Sequence, residues 1–333
     1  MIRTSAPGRI CLFGEHQDYL GLPVIAMAIN LRFFIDFEAD QSQPGVFRIS
    51  TPDTGAAAEV LNIKSSTPRH EADFCWGIAQ VMQREGFSFP CGGQLTFRSQ
   101  IPIQAGCSSS SAMSAAWLRL LLEIGEHPHK ARYLNHPELC AFLVYLGEKV
   151  EFQGSGGMMD QYACYLGGLI HVFPEECLIA ERKLPYAVEK LPVRPGTIFL
   201  IDSGVPKDTQ GILRNVSSLS RMAIESMREA WPAFDLRSTS LDELNQTYST
   251  NATVQQQVAG DVFRILYDQT INRNLCQEAL QMLRQPGLSP EDQEHLGSML
   301  SEEHRLLSQT LKISTPRINL LQQKAVAAGA LGA

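Results

Sequence analysis

Basic charge is the first shortage in this 333-residue chain. Its 28 Lys and Arg stand against 35 Asp and Glu, a net charge of −7, and no polybasic run occurs. That leaves no positive field to attract nucleic acid. Long apolar runs are missing too, since no segment reaches the ~18 apolar residues of a membrane span. The eight cysteines form no C-x-x-C pair and no even framework. Cys11, Cys140 and Cys164 sit among apolar neighbours, so they read as buried thiols in a reducing cytoplasm, not as disulfides or zinc ligands. Eight dispersed histidines argue against a metal cage. No strand–Gly-x-Gly-x-x-Gly–helix unit lies near the N-terminus, which sets dinucleotide binding aside. There is no internal repeat and no low-complexity stretch. Met1–Thr4 runs straight into the first motif, so no signal peptide is expected. These absences point to a cytoplasmic location, with neither nucleic acid nor membrane as partner.

What is present suits an α/β enzyme. Apolar content of 44% supports a sizeable core, and the length fits two domains or one large one. Residues 1–110 are strand-rich, with runs at Val24–Phe37, Val46–Ser50 and Gln94–Ile101, and a loop-rich stretch from the 40s to Ser66. Helical spacing runs through Glu71–Gly86, 109–124 and 137–152. Tyr162–Phe173 reads as a hairpin, Arg182–Pro195 as a proline-containing link, and Thr197–Asp202 as a buried strand opening a mostly helical second half. Ser289-Pro290-Glu291-Asp292 is a helix start, with an N-cap serine, proline in the first turn and acids behind it.

Three stretches carry chemistry. Pro102–Ala112, PIQAGCSSSSA, ends a strand and feeds the helical run Ala112–Leu122. Gly106 lets the backbone turn tightly, and Ser108, Ser109 and Ser110 bring hydroxyls beside free amides. Such a loop is either a serine-capped helix or an anion cradle at a helix N-terminus. Ala6–Gly21, APGRICLFGEHQDYLG, is a short strand, Arg9–Phe13, followed by a crowd of polar groups at Glu15–Tyr19. That cluster is a polar surface turn or a polyol site with several fixed donors and acceptors. Gly154–Gln161, GSGGMMDQ, puts Asp160 after a glycine run, as a helix cap or as a base facing a hydroxyl.

Together these motifs resemble the GHMP kinases, the superfamily of galactokinase, homoserine kinase, mevalonate kinase and phosphomevalonate kinase. Residues 8–21 are similar to the galactokinase pattern Gly-Arg-x-x-Leu-x-Gly-Glu-His-x-Asp-Tyr-x-Gly. Residues 102–112 resemble the family loop Pro-x-x-x-Gly-Leu-Ser-Ser-Ser-Ala, with Cys107 in place of leucine and Ser111 in place of alanine. Residues 157–161 resemble Gly-x-Met-Asp-Gln. The likeness extends over 296–333, where Ile313-Ser314-Thr315-Pro316 and Ala328–Ala333 follow the family's closing helices. It implies a two-domain fold: a ribosomal-protein-S5-like domain at 1–181 and a ferredoxin-like, helix-rich domain at 195–333, with the site in the cleft between them. In the family a third glycine-rich motif and the last strands come after a stretch like Ala330–Ala333. The sequence stops there; either it is shortened, or the protein lacks that motif and apolar faces along Leu296–Leu311 and Ile318–Ala328 are then expected to be partly open.

The resemblance also implies roles. Gly106, Cys107, Ser108, Ser109, Ser110, Ser111 and Ala112 would cradle the phosphates of ATP. Ser110 would touch Mg²⁺ with Glu148, which stands twelve residues before Asp160, and Glu151 shares a helix face with Glu148 and could replace it. Asp160 would take the proton of the attacking sugar hydroxyl, and Arg9 would keep Asp160 ionised and stabilise the transferring group. Phosphoryl transfer needs mainly such positioning and charge neutralisation. Glu15, His16, Asp18, Tyr19 and Gly157 would form the sugar site. Asp18-Tyr19 and Arg9 favour a galactokinase-like sugar 1-kinase acting on galactose or a related sugar. Ser203–Thr209, with Lys207, is closer to a mevalonate-kinase pattern, and Lys207 reads equally as a solvated loop lysine. The alternatives are a mevalonate-kinase-like small-alcohol kinase and a non-catalytic sugar- or ATP-binding sensor. A monomer or a homodimer is expected.

Overall fold

A computed structural model describes the chain apart from residues 103–104, 155, 193–194 and 206–208, and apart from the side chains at 209, 210, 212 and 213. Ser155 and Lys207 therefore lie outside the described residues. The first half begins with β1 (Ile2–Phe13), a turn ending in a 3₁₀ segment at Asp18–Leu20, β2 (Val24–Asp40), β3 (Val46–Ser50), β4 (Glu59–Asn62) and α1 (Phe74–Arg84). It continues through β5 (Gly92–Ser99), α2 (Ser109–Ile124), α3 (Lys130–Leu134), α4 (Pro137–Tyr145), a π-helical turn at Leu146–Val150 and α5 (Met159–Leu166). It closes with β6 (Leu169–Phe173), β7 (Cys177–Ile179), β8 (Arg182–Leu184) and β9 (Ala187–Lys190). The remainder is helical: α6 (Thr209–Ala230), α7 (Leu241–Thr250), α8 (Ala252–Gln257), α9 (Gly260–Leu283), α10 (Pro290–Gln309) and α11 (Pro316–Ala327).

The main sheet runs β4-β3-β5-β2-β6-β9, with β1 also paired to β2. The seventeen-residue β2 pairs antiparallel with β1 from Ile25 to Phe37, with β6 near its start and with β5 near its end. Only β3 and β5 are parallel among these pairs, so the sheet is mixed. Successive side chains of a strand face opposite ways, and β2 uses both faces. Val24, Ala26 and Ile35 join the core made with α1, α2, α4 and α5. Ile25 instead joins Phe13 and Leu169 against Cys276, Leu283, Leu296 and Met299 of α9 and α10. Trp117 of α2 is fully buried and meets Phe47 edge-on at 5.1 Å. A third cluster gathers Met227, Phe234, Leu244 and Leu266 around Leu22, just after the first motif.

The mixed α/β class agrees with the sequence reading, and four local expectations are corrected. Tyr162–Leu166 is helix, because Tyr162, Ala163 and Cys164 all bury against the sheet. Arg182–Pro195 is not simply a link: β8 and β9 lie in it, and β9 extends the main sheet through β6. The loop-rich stretch holds, besides the expected β3, the strand β4 that pairs antiparallel with it. Thr197–Asp202 is neither strand nor buried, and Phe199 is 82% exposed. Among the described residues no strand lies beyond Lys190, so the second half is helix-rich without the strands of a ferredoxin-like layout. On α10, Leu296, Met299 and Leu306 are covered, whereas α11 buries no residue and leaves Leu320 and Val326 exposed.

Candidate active site

The serine loop docks on β1 through a close approach. Arg9 N–H donates to the Cys107 carbonyl at 3.1 Å. A side chain at Gly8 would sit 2.8 Å from that same oxygen, so only glycine lets the strand and the loop meet here. The register of β1 on β2 shifts between Pro7 and Arg9, and a shift of this kind re-aims the next side chain. Arg9 then reaches in two directions. Its Nη1 donates to the Gly106 carbonyl at 3.0 Å, and its Nε donates to Asp160 Oδ1 at 2.7 Å. The Nη2 atom closes the ion pair at 2.5 Å.

Ser108 begins α2 in the left-handed conformation, φ 56°. The amides of Ser109, Ser110 and Ser111 follow at the start of a sixteen-residue helix, where no carbonyl one turn back can accept them. Ser111 is buried and Ser110 exposed. Both hydroxyls turn to Glu148 Oε1, at 2.9 Å from Ser111 and 3.5 Å from Ser110. Gln161 Nε2 also reaches the Ser111 hydroxyl, at 3.5 Å. Glu148 is 2% exposed, and its second oxygen is buried without a hydrogen-bond partner among the described residues. The π-helical turn that carries it aims Glu148 inward, a use common for such turns at functional sites. Glu151 points elsewhere, into an ion pair with Arg84.

Asp160 lies in the first turn of α5, with its side chain 28% exposed. Burial opposes its charge, but Arg9 and then Lys149 outweigh that and hold the carboxyl below the ordinary range. The Arg9 guanidinium is in turn more firmly protonated than usual, because Asp160 overcomes the cost of burial. Asp18 approaches from the first motif. Its Oδ2 accepts from Met159 N–H at 3.4 Å, and a side chain at Gly157 would lie 2.2 Å from that oxygen. Burial, with the charges of Asp160 and Glu15 adding, pushes Asp18 up to about 6. His16 is buried, with Nδ1 3.3 Å from the Tyr19 hydroxyl and Nε2 3.7 Å from Glu15 Oε1. Burial also raises the Tyr19 hydroxyl.

One cluster of residues thus gathers the serine loop, Glu148, Asp160, Arg9 and the turn from Glu15 to Tyr19. Three further residues complete it. Glu303 of α10 is buried, and its Oε1 accepts from Gly14 N–H at 2.8 Å and Glu15 N–H at 2.9 Å. Burial pushes its carboxyl up to about 8. Asn272 of α9 donates to the Glu15 carbonyl at 3.2 Å. Lys149, next to Glu148, keeps its side chain only 17% exposed. None of the three carries a sequence signal: a Glu-Glu pair on a polar helix and a lysine beside a glutamate both read as solvated faces.

Known proteins resemble the chain over most of its length. Residues 73–168 match the GHMP kinases N terminal domain, and residues 2–36 match the galactokinase galactose-binding signature. A Haemophilus influenzae galactokinase is 24% identical over 325 residues, covering 96% of this chain and 77% of that protein. A Thermococcus gammatolerans mevalonate kinase is 27% identical over 181 residues, 51% of each chain. The fold superposes on Lactococcus lactis galactokinase, solved with galactose, with a TM-score of 0.72 at 17% identity over 99% of this chain and 81% of that one. The chain carries the GHMP kinases N terminal domain, and its relatives indicate an ATP-dependent kinase. It is galactokinase-like, by the match of residues 2–36 to the galactose-binding signature and by galactokinase relatives that align over most of both chains.

Proposed function

We propose that this kinase phosphorylates the anomeric hydroxyl of galactose or a close relative. The observation that carries the reading is the Arg9–Asp160 pair, joined on one side to the loop carbonyl at Gly106 and standing on the other beside Asp18. In this reading the Ser109–Ser111 amides and the helix dipole hold the nucleotide phosphates. Asp160 accepts the proton as the sugar oxygen bonds to the γ-phosphorus. The bond to the β,γ-bridging oxygen breaks, and ADP leaves with that electron pair. Arg9 holds Asp160 ionised and faces the transferring group. Glu15, His16, Asp18 and Tyr19 read hydroxyls remote from the reacting one, and Gly157 leaves room for the Asp18 carboxylate.

Ser110 and Glu148 fit Mg²⁺: the partnerless Glu148 oxygen and an exposed hydroxyl 3.5 Å from its twin are hard oxygen donors. Magnesium commonly takes one or two protein oxygens and completes its shell with phosphate and water. When bound, it would neutralise phosphate charge. The chain lengths of the two halves, 1–181 and 195–333, are proposed as the two domains. ADP formation from ATP, measured against free sugars, mevalonate and homoserine, tests the assignment. Turnover is expected with galactose or a related hexose or uronic acid, and turnover on mevalonate alone would overturn the sugar reading.

A further inference from the structure

Lys149 is a cation near Asp160 that the roles above leave unused. Its arm runs along the glycine segment that leads to Asp160. Lys149 Cδ lies 3.6 Å from where a side chain at Gly154 would begin, and Cε and Nζ lie 3.6 Å from the corresponding point at Gly156. The ammonium ends 4.0 Å from Glu148 Oε1, too far for a hydrogen bond. Among the described residues no hydrogen-bond acceptor for it is found at closer range. Its charge is nevertheless felt at Asp160, second only to that of Arg9 among the groups that favour the carboxylate.

An ammonium carries three strongly hydrated donors, and Lys149, ion-paired with Glu148 but without an acceptor at hydrogen-bond distance among the described residues, has them left for a further anion. The neighbours on either side are carboxylates assigned to metal and to proton transfer. The anion that fits between them, with the serine loop opposite, is a phosphate. Lysine serves as a point-charge phosphate ligand in unrelated nucleotide sites.

We propose that Lys149 binds the terminal phosphoryl group of the nucleotide directly, and so sets the preference of the site for ATP over ADP. The proposal rests on the kinase reading above. The π-helical turn carries both residues, with Glu148 buried and the Lys149 side chain 17% exposed. Glu148 takes the Ser111 hydroxyl while Lys149 continues toward Asp160.

Titration calorimetry on the full chain tests this, using a non-hydrolysable ATP analogue and ADP, each with Mg²⁺ and in EDTA. For Lys149→Met the analogue should bind about 10- to 100-fold more weakly, the worth of one charged hydrogen bond. ADP binding should change by no more than about 2-fold, because its phosphates stay on the serine loop. The selective loss should persist in EDTA, and Lys149→Arg should recover most of it. Equal losses for both nucleotides, or no loss for either, would overturn the proposal and leave Lys149 as a counter-ion of Glu148. If Lys149→Met does not fold, Lys149→Gln is read by the same ATP-to-ADP ratio. Wild-type protein that binds neither nucleotide would count against the kinase reading itself, not against the lysine alone.

Discussion

At the scale of single residues, the first motif and the serine loop are legible because their chemistry is local. Gly8, Gly157 and the serine run are constrained by what lies within a few ångströms, and their spacing survives in the sequence. Asp160 and Arg9 are legible only as members of a pattern, for the chain separates them by 151 positions. Asp160→Asn keeps the shape and removes the base, so turnover should fall about 10²- to 10⁴-fold while sugar affinity changes little. A stopped assay beside a sugar titration checks both, and undiminished turnover would remove Asp160 from that role. Gly157→Ala makes the opposite case. Its new methyl would collide with the Asp18 carboxylate, so sugar KM should rise well before nucleotide affinity is touched. A matched loss of both would mean the loop had shifted as a whole.

At the scale of elements, helix starts were readable and burial was not. Ser289–Asp292 forms a capping box, with Ser289 accepting from Asp292 N–H at 3.1 Å, as the residue types dictate. The same helix hides Glu303, and nothing in Ser301-Glu302-Glu303-His304-Arg305 says which acid turns inward. Tertiary packing decides it: Glu302 pairs with Arg305 near the surface, and Glu303 caps the Gly14–Glu15 turn. The run Ile198–Ile201 misleads in the other direction, since four apolar residues suggest a buried strand and the structure leaves them in solvent. Glu303 has a pH consequence. Its carboxyl is raised from 4.5 to about 8 in the folded protein, so the native state holds a proton that the unfolded chain has lost. Stability from this group is complete below about pH 4.5 and is lost as pH rises toward about 8. Melting temperature should therefore fall between pH 6 and 8.5, and Glu303→Gln should flatten that slope. An unchanged slope in the variant would place the titration elsewhere. Glu303→Ala, by contrast, leaves two buried N–H groups unpaired, at about 1–3 kcal/mol each.

At the scale of the whole molecule, the turn bearing Glu15 to Tyr19 is held from both halves. The strands β1 and β2 supply it, while Glu303, Asn272 and Arg221 grip its backbone from α10, α9 and α6. The position of this turn is thus set by contacts more than 200 positions apart in sequence. That is why the family pattern could be read from the chain while the clamp behind it could not. Loosening the clamp should weaken sugar binding more than nucleotide binding. Asn272→Ala is the mild test, with an expected rise in sugar KM of a few-fold and unchanged nucleotide affinity.

The central claim is that the Arg9–Asp160 crevice transfers the γ-phosphoryl group of ATP to an anomeric hydroxyl. Phosphorus NMR of a reaction with ATP, Mg²⁺ and galactose tests it most directly, run in parallel with the wild-type chain and Asp160→Asn. The account predicts a sugar phosphate whose phosphorus couples to the anomeric proton, formed with one ADP per product and nearly absent in the variant. Phosphate on another hydroxyl, or equal product from Asp160→Asn, would contradict it.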